Sequence, residues 1–336
     1  MRRRSATLLL FVLAGGCDTV QSVTGGDGLH SRAFNDLFAF FLAVTGFFYL
    51  LVLAFLAAAL LRRRGRRRDG HADDNESRSG ALRTALFGWI ALMALGLTGL
   101  SVGSFLTDRR YAEAAPPATP LLIEVTANQW WWDVKYQHPD SSQSFRTANE
   151  LHLPVGVPAR IILKSNDVIH SFWVPNIAGK QDLIPGRVTD AVLVPRQVGW
   201  FRGQCAEFCG AQHAHMALDV RVEPRADFVA WRLRQLGTAP TPATPLQQAG
   251  YDYFMNRECS SCHMIAGTPA SGQIAPDLTH LASRKSIAAG TFPMTRGHLY
   301  GWIADPQGAK PGNNMPYIGL EGQELHALVA YLETLK

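Results

Sequence analysis

The sequence is poor in charged residues and in cysteine for its length. Of its 336 residues, 18% are charged and 47% are hydrophobic, a balance that excludes a disordered chain. Its five cysteines exclude a fold held together by disulfides, because such frameworks are denser and occur in shorter domains. We find no internal repeat, and the length suits two or three domains.

Positive charge is concentrated in one short segment. The net charge is +5, and arginine occupies six of the seven positions over 62–68. This segment lies between two long apolar runs, where arginine determines membrane topology. Elsewhere no basic face interleaved with aromatic residues is apparent, so the sequence predicts no nucleic-acid partner.

The two apolar runs, 37–61 and 86–106, are each long enough to cross a bilayer. As helices they would measure roughly 37 and 32 Å, against a hydrocarbon core of about 30 Å. A buried hairpin in a soluble core would not tolerate the arginines between its helices. The sequence therefore predicts a transmembrane hairpin over 33–107, with the arginines in the cytoplasm and both termini on the outer face.

Residues 1–17 are typical of an export signal. Three arginines precede an apolar run over 6–14, and small residues stand before Cys17. The position of Cys17 resembles that of the acylated cysteine in bacterial lipoprotein signals, so Cys17 is a candidate for lipidation. A plain signal peptide and a retained anchor are the alternatives.

The remaining two thirds of the chain divide into a β-rich and a helical part. Short β-rich segments predict an antiparallel sandwich or barrel over 120–236, ending in a helix. Residues 237–245, rich in Pro and Thr, have the composition of a stiff linker. Residues 246–336 return to helical periodicity, and so small a domain would benefit from a cofactor in its core.

Soft metal ligands are concentrated within twelve residues. Cys205, Cys209 and Met216 offer two thiolates and a thioether, which suit copper or zinc. Zinc sites close with four N or S ligands and make little use of methionine, whereas electron-transfer copper uses cysteine, histidine and a weak methionine. A Cys205–Cys209 disulfide is the alternative, and it leaves Met216 unexplained.

Histidines complete this pattern. The spacing Cys-x-x-x-Cys-x-x-x-His selects His213, and we expect the nearby His215 to face solvent. A further histidine is needed, and His170 lies at the end of an earlier β segment.

Three consecutive tryptophans, Trp130, Trp131 and Trp132, form the next unusual feature. Successive side chains of a strand point to opposite faces, so all three cannot face inward. At least one is expected near the surface, where its π-system could carry an electron towards copper. Packing of the tryptophans against another membrane subunit is the alternative interpretation.

The helical part carries a c-type haem attachment motif. Cys259 and Cys262 offer two thiols for the haem vinyl groups, and His263 follows directly as an iron ligand. A zinc site would need a second pair of ligands at suitable spacing. A methionine on the opposite face raises the potential, and Met294 and Met315 are the candidates.

These motifs together resemble subunit II of the haem–copper cytochrome c oxidases, in the bacterial caa-type form with a fused cytochrome c domain. The resemblance implies a two-helix transmembrane hairpin, an all-β cupredoxin-like Greek-key domain and a small all-α cytochrome c domain. It implies a dinuclear copper A centre and one covalent haem c.

The resemblance also assigns residues. Both cysteine sulfurs would bridge two coppers, each bound by one histidine, with a methionine and a backbone carbonyl as weak ligands; the set is His170, Cys205, Glu207, Cys209, His213 and Met216. The Glu207 side chain could point towards a magnesium. Trp130 takes the place of the aromatic that receives the electron. Met315 lies in the family's methionine loop and would bind iron opposite His263.

The implied function is the electron-accepting subunit of an aerobic terminal oxidase in the bacterial cell membrane. Electrons from cytochrome c or another donor would reach haem c, then the dinuclear copper, then the catalytic subunit I. Subunit I would reduce dioxygen and pump protons, and subunit III is a further expected partner. A linker of about ten residues would tether the haem domain at an effective concentration near the millimolar range.

Two other functions remain open. A membrane-tethered carrier could serve a nitric or nitrous oxide reductase, although the anchor pattern argues against it. A copper-delivery factor for oxidase assembly shares the Cys-x-x-x-Cys spacing, but on a thioredoxin fold with one span and no haem.

Overall fold

Two long helices precede the β domain. The computed structural model describes residues 20–69, 76–113 and 121–336, so Cys17 and the predicted signal lie outside the described residues. Helices α1 (Leu29–Asp69) and α2 (Glu76–Glu113) each contain a stretch long and apolar enough to cross a membrane, Leu29–Arg62 and Gly80–Arg109. The predicted spans lie within these stretches.

The two helices pack through a small residue and aromatic rings. The ring of Phe48 on α1 lies edge-on to Trp89 on α2, with centroids 6.0 Å apart. Gly96 on α2 leaves room for Phe48, since a Cβ there would lie 2.6 Å from its ring. Close approach of the backbones at glycine is a usual means of helix packing in membranes.

Residues 20–31, which we call the N-terminal strap, are bound to the β domain. The Arg202 amide donates to the Val20 carbonyl oxygen at 2.7 Å, and the Leu29 amide donates to the Val194 carbonyl oxygen at 3.0 Å. The Ser31 hydroxyl donates to the Asn176 carbonyl oxygen at 2.6 Å. Helix α1 therefore begins directly at the surface of the β domain.

Ten strands form a sandwich of two five-stranded sheets. The strands are β1 (Leu121–Asn128), β2 (Trp131–Gln137), β3 (Phe145–Ala148), β4 (Glu150–Pro154), β5 (Ala159–Ser165), β6 (His170–Trp173), β7 (Gln181–Leu183), β8 (Thr189–Leu193), β9 (Gly199–Cys205) and β10 (Ala217–Glu223). One sheet has the order β3-β2-β1-β5-β8 and the other β4-β10-β9-β6-β7.

The pairing is mixed. Strands β1 and β5 run parallel, as do β4 and β10, and the other pairs are antiparallel. The prediction of a wholly antiparallel domain is therefore wrong at these two pairs. Both parallel pairs join strands that are distant in sequence, so no local turn signal marks them.

The sandwich buries alternate residues of its strands, as strand geometry requires. On β1, Ile123, Val125 and Ala127 have no exposed surface. The helix α3 (Arg225–Gln235) follows β10 and buries Phe228 and Trp231 against the end of the sandwich.

The C-terminal part is helical and has its own core. Its helices are α4 (Pro245–Asn256), α5 (Cys259–Cys262), α6 (Arg296–Ala304), α7 (Pro306–Ala309) and α8 (Gly322–Leu332), with a two-stranded ribbon of β11 (Ser286–Ile287) and β12 (Phe292–Pro293). Thr244 and Gln247 form a capping box at the start of α4, and Pro245 takes the first helical position. This local sequence fixes where the helix begins.

Helices α4 and α8 touch at Gly250. A Cβ there would lie 2.0 Å from the Ala327 carbonyl oxygen and 2.8 Å from the Tyr331 Cβ. Because backbone atoms cannot move aside cheaply, we expect Gly250→Ala to lower the free energy of unfolding by about 1–3 kcal/mol or more. Urea denaturation followed by helical circular dichroism measures this loss. Gly301→Ala on α6, where nothing lies within 4 Å, is the matched control; equal midpoints for both variants would contradict the prediction.

The helical domain is docked on the sandwich. The Ala217 amide donates across the boundary to the Ala289 carbonyl oxygen at 2.9 Å. Arg284 lies 3.7 Å from the Glu150 carboxylate, and both side chains are buried. The contact between the domains is therefore direct and does not depend on the linker alone.

Candidate metal and haem centres

The two cysteines of the sandwich lie side by side in its interior. Cys205 ends β9, Cys209 lies in the loop to β10, and each is 3% exposed. Their sulfur atoms are 3.7 Å apart. Strand β6 neighbours β9 and brings His170, its first residue, to the same place. The ligand atoms of His170 and the two cysteines all lie within 4.8 Å of one another.

The other predicted ligands surround these sulfurs. His213 Nδ1 is 3.6 Å from the Cys209 sulfur, and the Met216 sulfur is 4.0 Å from it. The Glu207 carbonyl oxygen is 3.2 Å from the Cys205 sulfur. His215, in contrast, is exposed and its Nδ1 lies 2.8 Å from the Gln212 side-chain oxygen.

The cysteine pair favours binding of a cation. A hydrogen bond from the Cys209 thiol, followed by one from His170, lowers the pKa of Cys205. The same pairing, with burial, raises the pKa of Cys209, because a second thiolate would sit beside the first. A metal ion is what allows both sulfurs to lose their protons, since thiol ligands bind as thiolates.

Asp167 holds His170 in position. Its carboxylate lies 2.7 Å from His170 Nε2 and accepts from the Gln129 amide at 2.6 Å. His170 Nδ1 is thereby directed at the Cys205 sulfur, 3.7 Å away. Such an outer hydrogen bond fixes the ring orientation of a metal-binding histidine. Sulfur and imidazole donors brought together in this way fit a copper ion.

The Glu207 side chain is paired with a lysine. It is partly exposed, and its carboxylate lies 3.4 Å from Lys180 Nζ. The structure thus gives this carboxylate a cation of the chain itself as partner, and the magnesium stays a prediction.

The three tryptophans differ in burial, and Trp131 is the one that keeps some exposed surface. Trp130 is 8% exposed, and its Nε1 donates to the Cys209 carbonyl oxygen at 2.9 Å. Trp132 is fully buried beside His170, with ring centroids 6.3 Å apart, and Trp131 is partly buried. The helical domain covers Trp130, since a Cβ on Gly312 would lie 3.7 Å from its ring. The sequence could not show this, because the cover comes from a loop around Lys310, which lies 180 residues after Trp130 in the chain.

A deep cleft in the helical domain brings its predicted residues together. Cys259, Cys262, His263 and Met315 all line it, whereas Met294 packs elsewhere in the domain core. The cleft has a cavity volume of about 230 Å³ and is walled mostly by apolar side chains, among them Phe254, Leu278, Leu281, Leu299, Ile303 and Leu328. Two thiols, an imidazole and a thioether in an apolar cleft fit a covalently attached haem.

His263 is oriented for iron binding. Its Nδ1 lies 2.7 Å from the Pro276 carbonyl oxygen, a partner that requires the proton on Nδ1 and leaves Nε2 free as a ligand. Burial lowers the pKa of His263, which keeps the ring neutral. On the other side, the Met315 amide donates to the Asn313 side-chain oxygen at 2.7 Å.

The β domain closes one side of this cleft. Besides residues of the helical domain, its walls include Gln129, Trp130, Trp131 and Asn149. Trp130 therefore contacts the cleft and, through its indole nitrogen, the backbone of Cys209. The haem cleft and the cysteine pair share one aromatic residue.

Lys310 is a residue of the domain boundary that the sequence did not predict. This lysine is 2% exposed and lies at the boundary between the domains. Burial lowers its pKa to about 7, although three carbonyl oxygens accept from Nζ and only the charged ammonium has three protons for them. Its place beside Pro311 in the methionine loop is the only signal in the sequence, and that signal says nothing of burial.

A second missed group surrounds His152. Its Nδ1 lies 2.9 Å from the Glu223 carboxylate and its Nε2 lies 3.7 Å from that of Glu150. The ring stacks on Trp231 with centroids 3.9 Å apart. Arg284 of the helical domain reaches the same Glu150, so this buried group also joins the domains.

His152 gives the fold a pH dependence. Burial opposes its charge, but the neighbouring carboxylates of Glu150 and Glu223 outweigh burial and raise the pKa of His152 above 6.5. Its stabilising contribution is complete below the unfolded-state pKa and is lost as pH rises through the higher folded-state pKa. We expect the free energy of unfolding to fall less between about pH 6 and pH 9 in His152→Gln than in the wild type. Urea titrations at both pH values test this, with the exposed His138→Gln as control; an unchanged slope in His152→Gln contradicts it.

The fold and the two centres define the class of protein. A β-sandwich whose last two strands are joined by a loop bearing two cysteines, a histidine and a methionine is a cupredoxin-like domain, and it confirms the predicted fold. A small helical domain with a c-type attachment motif in an apolar cleft is a cytochrome c domain. The copper-delivery alternative depended on a thioredoxin fold. The β domain is a sandwich instead, which argues against that alternative.

Comparison with known proteins agrees with this class. The family described as cytochrome c oxidase subunit II, periplasmic domain, matches residues 139–223, and the cytochrome c family matches residues 247–336. Cytochrome c oxidase subunit 2 of Alkalihalophilus pseudofirmus is 32% identical over 277 residues, covering 81% of this chain and 78% of the relative. The same subunit of Bacillus sp. (strain PS3) is 32% identical over 266 residues, covering 74% of this chain and 73% of the relative. The chain therefore belongs to the cytochrome c oxidase subunit II family, whose members are components of an oxidoreductase complex.

A solved structure matches part of this chain. The crystal structure of the periplasmic domain of subunit II of the cytochrome oxidase of Bradyrhizobium japonicum is 32% identical to this chain. The match covers 36% of this chain and 96% of the chain in the crystal structure, with a TM-score of 0.33.

Proposed function

We propose that this chain accepts electrons at a covalent haem c and passes them to a dinuclear copper centre for delivery to the catalytic subunit of a terminal oxidase. The observation that carries the proposal is the position of Trp130. Its ring lines the haem cleft, and its indole nitrogen is 2.9 Å from the Cys209 carbonyl oxygen. Trp130 thus contacts both the haem cleft and the cysteine site. The family and the ligand residues imply a metal at each of these two sites.

Six residues would hold the copper. The cysteine pair would supply thiolates, and the other residues would supply imidazole, thioether and carbonyl donors; the set is His170, Cys205, Glu207 through its carbonyl, Cys209, His213 and Met216. Copper supplies one-electron chemistry there. The chain keeps the donors in place through β9, β10 and the Asp167–His170 hydrogen bond, so little reorganisation accompanies a change of charge.

The haem would be held by the four residues of the cleft. The Cys259 and Cys262 thiols would form the thioether bonds, and His263 and Met315 would supply the ligands to the iron. Haem with a methionine ligand has a raised potential. The apolar walls exclude water, and the Pro276 carbonyl oxygen keeps the His263 ring in the binding tautomer.

Trp130 is proposed as the residue through which the electron leaves the cleft. Its buried ring excludes solvent between the two centres, and its hydrogen bond provides a short bonded route to the Cys209 backbone. The position of the helical domain over Trp130 supports the chain's own haem domain as the donor to this residue. A free cytochrome c or another donor would then deliver electrons to the haem domain.

Membership of the family supports the remaining assignments. Association with subunit I, and also subunit III, would place dioxygen reduction and proton pumping outside this chain. The two apolar helices would anchor it in the bacterial cell membrane with the metal domains on the outer face. Lipidation of Cys17, the magnesium at Glu207 and the domain limits 120–236, 237–245 and 246–336 belong to the same proposal.

Metal analysis and rapid kinetics test the proposal on the full chain, expressed with copper and purified in detergent. We expect about two coppers and one covalent haem per chain, and reduction of haem before copper when a cytochrome c donor is mixed in. Haem with one copper or none overturns the dinuclear centre. Copper that is reduced before the haem overturns the order of transfer.

A further inference from the structure

Lys310 reaches out of the helical domain and into the β domain. Its Nζ donates to the carbonyl oxygens of Trp130 and His215, each at 2.8 Å, and to that of Ala288 at 3.1 Å. The first two acceptors belong to the β domain and the third to the helical domain. The side chain therefore joins three segments at the boundary, and two of them flank the proposed route of the electron.

The loop that follows Lys310 is bound along its length. The Gln212 side-chain nitrogen donates to the Pro311 carbonyl oxygen at 2.8 Å. The Asn314 side-chain nitrogen donates to the Gln129 carbonyl oxygen at 3.4 Å. The loop ends at Met315, so the residue proposed to bind iron lies directly after a segment fixed to the β domain.

Burial makes Lys310 specific for the docked arrangement. An ammonium withdrawn from water is unfavourable unless hydrogen bonds replace its hydration. Two of its three acceptors are lost if the helical domain moves away, and the third lies on its own domain. An apolar side chain would fill the same space without this directional requirement, so the lysine specifies one geometry of contact.

We propose that Lys310 is a positioning residue that fixes the methionine loop against the β domain and thereby sets the separation between the haem cleft and the cysteine pair. The inference rests on the proposed function. The linker predicts only that the haem domain, the electron donor, is tethered. The contact made by Lys310 would hold that domain in one position. The rate of electron transfer falls steeply with distance, so a fixed contact keeps it constant from one turnover to the next.

The test uses the full chain loaded with haem and copper. Lys310→Met removes the three hydrogen bonds and keeps the side-chain length, and Lys336→Met removes an exposed lysine of the same domain as control. We expect the haem-to-copper rate after photoreduction to fall at least about tenfold in Lys310→Met, as small misplacements of reacting groups do. We also expect faster hydrogen exchange at the Ala217 amide, which bonds across the boundary.

The midpoint potentials and the absorption band of methionine-bound ferric haem are expected to stay unchanged. A wild-type rate with wild-type exchange in Lys310→Met overturns the proposal, and so does a changed methionine band, which would place Lys310 in the haem site. If Lys310→Met loses haem, Lys310→Gln is measured instead, and an unchanged rate and exchange in it overturn the proposal. If the wild type shows no transfer from haem to copper, the proposed function fails, while exchange at Ala217 still decides whether Lys310 holds the domains together.

Discussion

Cys209→Ser is expected to abolish the proposed dinuclear copper centre. Three other candidate ligand atoms surround the Cys209 sulfur. The Cys205 sulfur is 3.7 Å away, His213 Nδ1 is 3.6 Å away and the Met216 sulfur is 4.0 Å away. A serine oxygen is a harder donor that cannot be shared between two coppers as a thiolate can. Copper content should fall from about two ions to one or none per chain, and haem-to-copper transfer should stop.

Two neighbouring histidines provide the matched comparison. His213 faces the Cys209 sulfur, whereas the exposed His215 interacts with Gln212. Copper analysis and electron paramagnetic resonance should show loss of the dinuclear signal in His213→Ala and a normal signal in His215→Ala. Equal copper in both variants, or a dinuclear signal in Cys209→Ser, would show that the ligand set is wrongly assigned.

The double variant Cys259→Ala, Cys262→Ala is expected to lose covalent haem and, with it, the stability of the helical domain. The cleft occupies the centre of that domain and has a volume of about 230 Å³. An unfilled cavity costs roughly 24 cal/mol per Å³, which gives about 5 kcal/mol here. That loss is comparable to the whole free energy of unfolding of a small domain.

Haem staining under denaturing conditions and circular dichroism measure the two effects. The stain should disappear, and the cooperative thermal transition of the helical domain should be lost while copper binding to the β domain persists. Ser261→Ala, between the two cysteines, is the control, and it should retain both haem and transition. A double variant that unfolds at the wild-type temperature would show that the domain does not need the cofactor as core.

Local spacing explains why much of the site could be predicted. Cys205 ends β9, and Cys209, His213 and Met216 follow within the loop to β10, so short spacing in the sequence keeps these four residues close. His170 required one further step, the adjacency of β6 and β9, which the family resemblance supplied. The helices of the cytochrome c domain carry their own caps and breakers, such as Thr244 and Pro245, so their positions follow from short segments.

Contacts between distant segments explain what could not be predicted. The burial of Trp130 depends on the docking of a domain that begins more than a hundred residues later. Lys310 shows the limit most clearly, because a lysine in a proline- and glycine-rich loop is ordinarily solvated, and only the assembled boundary supplies its carbonyl acceptors. The parallel pairs β1–β5 and β4–β10 are likewise set by the closing of the sandwich and have no signature in any short window.

The N-terminal strap has a consequence for assembly of the oxidase. A domain joined to a membrane hairpin by a single flexible connection could swivel, and a partner subunit would have to capture it in one orientation among many. Here the chain before α1 is hydrogen-bonded to the β domain at Val20 and again at Leu29, the first residue of the helix. The direction of α1 therefore fixes the direction in which the copper site faces before any partner subunit binds. Insertion of the hairpin beside the catalytic subunit would then aim the copper ligands with little rotational search.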